Sequence, residues 1–118
     1  MATLHDLLAL KGNEVIAVGP ADTVLQAANL MNERNIGGVL VLDGGRLAGI
    51  FTERDVLRRV VAGGLDPAAT PISAVMSAPV LTCPPTLSVD DCATFMTTNN
   101  VRHVPVQGDD GLIGLVSI

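Results

Sequence analysis

The sequence predicts an α/β fold, an α+β sandwich made of two β-α-β-β-α repeats packed by pseudo-twofold symmetry. Three observations predict it. Short apolar runs such as Val39 to Leu42 alternate with stretches whose apolar residues recur at helical spacing. A tight turn, Asp43-Gly44-Gly45-Arg46, joins two apolar runs as a hairpin. Finally, the first half of the chain maps onto the second without a gap.

Taken in order, residues 1–14 form an N-terminal segment. It has a short helix from Leu4 to Leu10 and a break at Lys11-Gly12-Asn13. Residues 15–64 are the first repeat. Val15 to Val18 reads as a buried strand, and Gly19-Pro20-Ala21-Asp22 as a turn. Thr23 caps a helix with Gln26 at the capping-box position. Val24, Ala27, Ala28 and Met31 share one face, and Asn35 ends the helix. Leu47 to Phe51 is the second strand of the hairpin. A helix from Glu53 to Ala62 follows, stopped by Gly63-Gly64. Residues 65–79 are a linker, with Thr70-Pro71 as cap and first position of a short helix through Met76. Residues 80–118 are the second repeat.

A shift of 65 positions aligns the halves. Val15 falls on Val80, Pro20 on Pro85, Met31 on Met96 and Asn35 on Asn100. Val39 falls on Val104, Val41 on Val106 and Gly49 on Gly114. The caps repeat as Thr23 and Ser88, and the helix face as Val89, Cys92, Ala93 and Met96. One copy is too small to bury both faces of its sheet, whereas two packed copies solve that problem. The position matching Asp55 would be 120, so the second repeat, as given, lacks its last helix.

The stretch Gly49-Ile50-Phe51-Thr52-Glu53-Arg54-Asp55 holds the candidate chemistry. A strand that runs into a helix start leaves backbone N–H groups unpaired, which suits an anion. Thr52 and Asp55 add a hydroxyl and a carboxylate, suited to a phosphate and a sugar diol. The same Thr-x-x-Asp spacing is also a capping box, which spends both side chains on the helix's own amides.

Composition narrows the partners. The chain has 118 residues, 48% hydrophobic content and a net charge of −5. This acidic balance argues against a nucleic-acid backbone as partner. Only two aromatics are present, both Phe, so bases would find no stacking platform. Mean hydropathy is +0.47, yet no apolar run approaches the roughly 18 residues of a membrane span. No secretory signal is read at the N-terminus, so the cytoplasm is the expected location. Cys83 and Cys92 lack metal-ligand spacing and are expected to be reduced structural thiols, with no metal site. Arg46, Arg54, Arg58 and Arg59 read as surface charges.

The tandem repeat, the Gly-Ile-Phe-Thr-Glu-Arg-Asp motif and Val101-Arg102-His103-Val104-Pro105-Val106 together resemble a pair of CBS domains, a Bateman module of the small stand-alone type. The resemblance runs from about Lys11 to Ile118. It implies a homodimer and an adenosine-containing ligand: AMP, ADP or ATP, less readily NAD or S-adenosylmethionine. It implies that Asp55 holds the ribose hydroxyls and Thr52 meets ribose or phosphate. Arg102 and His103 would reach phosphates, and the strand near Val15 and Ile16 would line the adenine pocket. Ser117 is the second-repeat match of Thr52. Where the second repeat has Arg102 and His103, the first has Gly37 and Gly38. With the family's cross-repeat geometry, Thr52 and Asp55 would share a cleft with Arg102 and His103, giving one competent site rather than two. Apart from the resemblance, Arg102 reads as a solvated strand-end charge and His103 as an edge histidine.

Two functions follow. The first is a regulatory module that senses adenine nucleotides on behalf of an effector protein. The second is a ligand-free interaction or dimerisation module, since function lives in the site and not in the fold. An enzyme is not expected. No Ser/His/Asp set, paired carboxylates, metal spacing or phosphate-binding loop is found.

Overall fold

In the computed structural model of the chain, residues 1–12 and 14–117 are described. Asn13 of the predicted break, and Ile118 at the end of the second repeat, lie outside them. The chain folds into two units that do not follow its order. One is Ile16–Val80, and the other joins Met1–Val15 to the chain from Leu81 onward.

The Ile16–Val80 unit carries a three-stranded sheet. Strand β1 (Ala17–Val18) runs parallel to β2 (Gly38–Asp43), and β2 pairs antiparallel with β3 (Arg46–Thr52). At the hairpin turn Gly44 and Gly45 have φ of 58° and 83°. This is the left-handed pair a two-residue turn needs to match strand twist. A helix (Val24–Arg34) lies between β1 and β2. Thr23 Oγ1 accepts from the Gln26 amide at 3.1 Å, and Gln26 Oε1 accepts from the Thr23 amide at 2.7 Å. The predicted capping box is therefore formed. Val24, Ala27 and Met31 are buried against Val39, Val41 and Phe51.

Three expectations for this unit need correction. The first strand begins at Ala17 rather than Val15, which is 38% exposed. The helix after Thr52 is one α-turn, Glu53–Asp55, that widens into a π-helix over Val56–Val61. That register buries Val60 but leaves Leu57 and Val61 on the surface. The short helix is a 3₁₀ turn, Ile72–Ala74, capped by Pro71. Thr70 instead donates its hydroxyl to the Asp66 carbonyl at 2.7 Å. Arg59 is exposed, as expected, and its guanidinium in addition donates to the Met76 carbonyl at 3.0 Å.

The other unit contains the N-terminal helix (Leu4–Lys11), a helix over Val89–Thr98, and the hairpin of β4 (His103–Gly108) and β5 (Gly111–Ser117). Its core joins Leu4 and Leu8 to Cys83, Cys92, Met96, Val104, Val106 and Val116. Ser88 accepts from the Asp91 amide at 3.0 Å, so the second cap also forms. The repeat holds down to single residues. Asn35 and Asn100 both take left-handed φ, 55° and 53°, at the two helix ends. Bulges fall at Val41/Leu42 and at Val106/Gln107.

The first strand of the second repeat is reduced to one bridge, Cys83 with Val106. Its counterpart is the pairing of Val18 with Val41. The reason is Pro105, which stands where the first repeat has Leu40. Leu40 donates its amide to the Ile16 carbonyl at 3.1 Å. Proline has no amide hydrogen and cannot make that bond.

The N-terminal segment does for its unit what residues after Thr70 do for the other. Leu4 N donates to Leu87 O at 2.9 Å and His5 N to Pro85 O at 3.0 Å. Ile72 N donates to Asp22 O at 2.8 Å and Ser73 N to Pro20 O at 3.0 Å. A Cβ on Gly114 would meet Leu8 side-chain carbons at 3.0 and 3.2 Å. One on Gly49 would meet the Met76 sulfur at 2.6 Å and the Ser77 carbonyl oxygen at 3.0 Å.

Two predictions follow from this packing. Gly49→Ala must push back a backbone oxygen and should cost about 1–3 kcal/mol in chemical denaturation. Gly114→Ala meets only a side chain that can turn away, and should cost less. Equal losses would contradict the close backbone approach. The second prediction concerns pH. Burial, with the neighbouring Cys92, pushes the Cys83 thiol up to about 11, and burial also raises Cys92. Below the ordinary thiol range folded and unfolded chains both hold these protons, and stability is fully present. As pH rises towards about 11 the unfolded chain ionises first, so stability falls. The chain has no Tyr and a single lysine, Lys11, so few other groups obscure the effect. The melting temperature should fall between about pH 9 and pH 10.5, and less steeply in Cys83→Ala.

Candidate functional site

The candidate site is built where β3 ends. Thr52 is extended, with φ −127° and ψ 168°, and the helix begins at the next residue. This change of direction places Asp55 three residues on, facing back to Thr52. Asp55 Oδ2 accepts from the Thr52 amide at 3.0 Å and from Thr52 Oγ1 at 3.3 Å. Thr52 Oγ1 in turn accepts from the Asp55 amide at 3.4 Å. The capping reading of Thr-x-x-Asp is realised in full.

Two further side chains reach the same carboxylate. Ser77 donates its hydroxyl to Asp55 Oδ1 at 2.9 Å, and Arg59 Nε lies 3.6 Å from Oδ1. Asp55 is 5% exposed, so its charge is buried with a cation and three hydrogen-bond donor groups around it. The Ser77 position is set by backbone. Ile50 and Ser77 exchange two hydrogen bonds, of 3.0 and 2.8 Å, against the flat side of Gly49. The helix start is also less open to an anion than the sequence implies. The Glu53 amide donates to the Gly37 carbonyl at 3.0 Å, and the Asp55 amide is taken by Thr52.

Thr52 and Asp55 are therefore brought together, and Ile16 packs against the core of the same unit. Ile16 also supplies the carbonyl that receives the Leu40 amide. The other four expected residues belong to the second unit. His103 opens β4 and is directly paired with Ser117 near the end of β5. Arg102 precedes it and is exposed, as are Ser117 and Val15.

Sequence reasoning missed Ser77 and Arg59. Arg59 carried a usable signal, since it stands four residues after Asp55, the spacing of a helical ion pair. Ser77 carried none, because its partner lies 22 residues away in sequence.

A groove of about 520 Å³ lies on the Ile16–Val80 unit, between the Val24–Arg34 helix and the π-helix. Met31, Ile36, Val56, Leu57 and Val61 line it, and none of the seven expected site residues does. Among the described residues no group of three His, Cys, Asp or Glu side chains is placed to hold a metal ion. No helix among them is long and apolar enough to cross a membrane.

Comparison with known proteins fits this architecture. The CBS domain family model matches residues 9–62 and 72–118. The CBS domain-containing protein YhcV of Bacillus subtilis is 34% identical over 118 residues, covering 100% of this chain and 81% of YhcV. The crystal structure of a CBS-domain-containing protein from Agrobacterium tumefaciens superposes with a TM-score of 0.93 at 36% identity, covering 99% of this chain and 94% of that one. A hexameric CBS-CP12 protein from bloom-forming cyanobacteria superposes with a TM-score of 0.82 at 29% identity, covering 90% of this chain and 62% of that one. Proteins built from such pairs are generally regulatory, ligand-binding modules. With the match falling once on each repeat, this chain belongs to the CBS domain family and carries two copies of the domain.

Proposed function

We propose that this chain is a regulatory module that senses an adenosine-containing nucleotide, AMP, ADP or ATP, with Asp55 receiving the ribose diol. The observation that carries this reading is the buried Asp55 carboxylate, held at the end of Gly49–Asp55 by Thr52, Ser77 and Arg59. A buried carboxylate in a fixed orientation is a specific acceptor for two adjacent hydroxyls. Within the Ile16–Val80 unit, Thr52 is the hydroxyl partner we assign to the same ligand. Ile16, of the same unit, is assigned to the adenine. NAD and S-adenosylmethionine share the diol and remain candidates of the same class. The module acts on an effector protein, is not an enzyme, and works in the cytoplasm, where these nucleotides are made and used.

The second reading, an interaction or dimerisation module, rests on a separate observation. Leu57 and Val61 are 63% and 65% exposed and line a groove of mixed polar and apolar character with Asn32, Asn35 and Glu53. Exposed large aliphatic side chains next to a groove mark a surface that gains by being covered. Self-association through this face is compatible with nucleotide sensing, and we assign a homodimer to it.

Each reading has its own test. In a thermal-melt panel, a nucleotide at about 100 times its dissociation constant should add roughly 2.7 kcal/mol of stability. Asp55→Asn keeps the size of the side chain and should remove that shift. Silence towards all five ligands, or an undiminished shift in Asp55→Asn, would reject the nucleotide reading. For self-association, Leu57→Asp and Val61→Asp alter exposed positions and should leave the fold within about 0.5 kcal/mol of wild type. Both should lower the sedimentation mass towards the monomer. A mass unchanged in the double variant would remove this face from the interface.

A further inference from the structure

Resting on the reading of Asp55 as diol acceptor, we propose that Ser77 is an intramolecular competitor of the ligand. Its hydroxyl occupies the carboxylate, a ribose-type diol binds by displacing it, and the exchange removes one of the ties that hold Ser77.

The argument is one of acceptor positions. An ionised carboxylate has two oxygens and about four places for a donor. Four donors already face Asp55: the Thr52 amide, Thr52 Oγ1, Ser77 Oγ and Arg59 Nε. A vicinal diol brings two more, so two of the present donors must leave. The Thr52 pair is the helix cap, and losing it would undo the helix start. Ser77 and Arg59 both address the other oxygen, Oδ1. The Ser77 hydroxyl can leave by rotation about χ1 alone. Arg59 can leave Oδ1 while its guanidinium stays on the Met76 and Val75 carbonyls, at 3.0 and 3.4 Å. The diol therefore takes Oδ1.

This exchange has a consequence beyond affinity. The Ser77 hydroxyl ties the segment after the 3₁₀ turn to the Asp55 carboxylate, beside the Arg59 bonds to the Val75 and Met76 carbonyls. Without it, Ser77 keeps only its two backbone bonds to Ile50. Ser77 lies just before Val80, where the chain leaves the Ile16–Val80 unit. Occupancy of Asp55 thus changes the hold on the segment that leads out of the unit, which is what a sensor must do to report its ligand.

Isothermal titration with AMP and with ATP tests the proposal on the wild-type chain, Ser77→Ala, Ser77→Thr and Asp55→Asn. Ser77→Ala removes the competitor and should bind about tenfold more tightly, the size of one hydrogen bond to a charged group. Ser77→Thr keeps the hydroxyl and should return to wild-type affinity, and Asp55→Asn should not bind. Equal or weaker binding by Ser77→Ala overturns the competition and leaves the nucleotide reading standing. Absence of binding in both the wild type and Ser77→Ala overturns both. Amide exchange in the wild-type chain needs no substitution: AMP should speed exchange at Ser77, whose amide is bonded to the Ile50 carbonyl, and added protection there would overturn the loosening.

Discussion

The two hydrogen bonds between Ile50 and Ser77 are the constraint on which the candidate site depends. They form because Gly49 has no side chain, so a backbone carbonyl can come within the space a Cβ would fill. That approach sets Ser77 over the helix start, where its hydroxyl meets Asp55. It also presents the Met76 carbonyl to Arg59. A glycine on a strand thereby determines how a carboxylate six residues later is held. The buried charge tolerates its low-dielectric surroundings only because these donors converge on it.

The repeat was the most legible feature. Caps, helix faces and the hairpin are local patterns of a few residues, and each occurs twice. Thr23, Ser88, Asn35 and Asn100 each act on their own nearest turn, so sequence alone locates them. The first strand was less legible. Val15 to Val18 is apolar throughout, yet only Ala17 and Val18 find strand partners, because pairing is decided by the distant β2. In the second repeat a single proline in the facing strand removes most of that pairing, an effect visible only once the register is known.

The candidate site was half legible. Thr52 and Asp55 were found because their spacing is a motif, and their mutual hydrogen bonds are those the capping box implies. Ser77 was hidden because its role arises from a bridge between remote segments. Arg59 is on the surface as its sequence context suggests, but nothing local shows that two carbonyls lie beside it. The π-register over Val56–Val61 was equally hidden. Two adjacent apolar pairs, Val56-Leu57 and Val60-Val61, do not say which member of each turns inward.

The division of the chain into units bears on how the protein is made. The Ile16–Val80 unit is one continuous stretch, set as an insertion within the other. During synthesis it can complete its core as soon as Val80 is available. The N-terminal helix has no such option. Leu4 and Leu8 belong to a core whose remaining members begin at Cys83. Until the β4–β5 hairpin emerges, the core that buries Leu4 and Leu8 is incomplete, and a helix of this length holds little structure alone. Residues that precede the Ile16–Val80 unit in the chain are thus among the last to find their places.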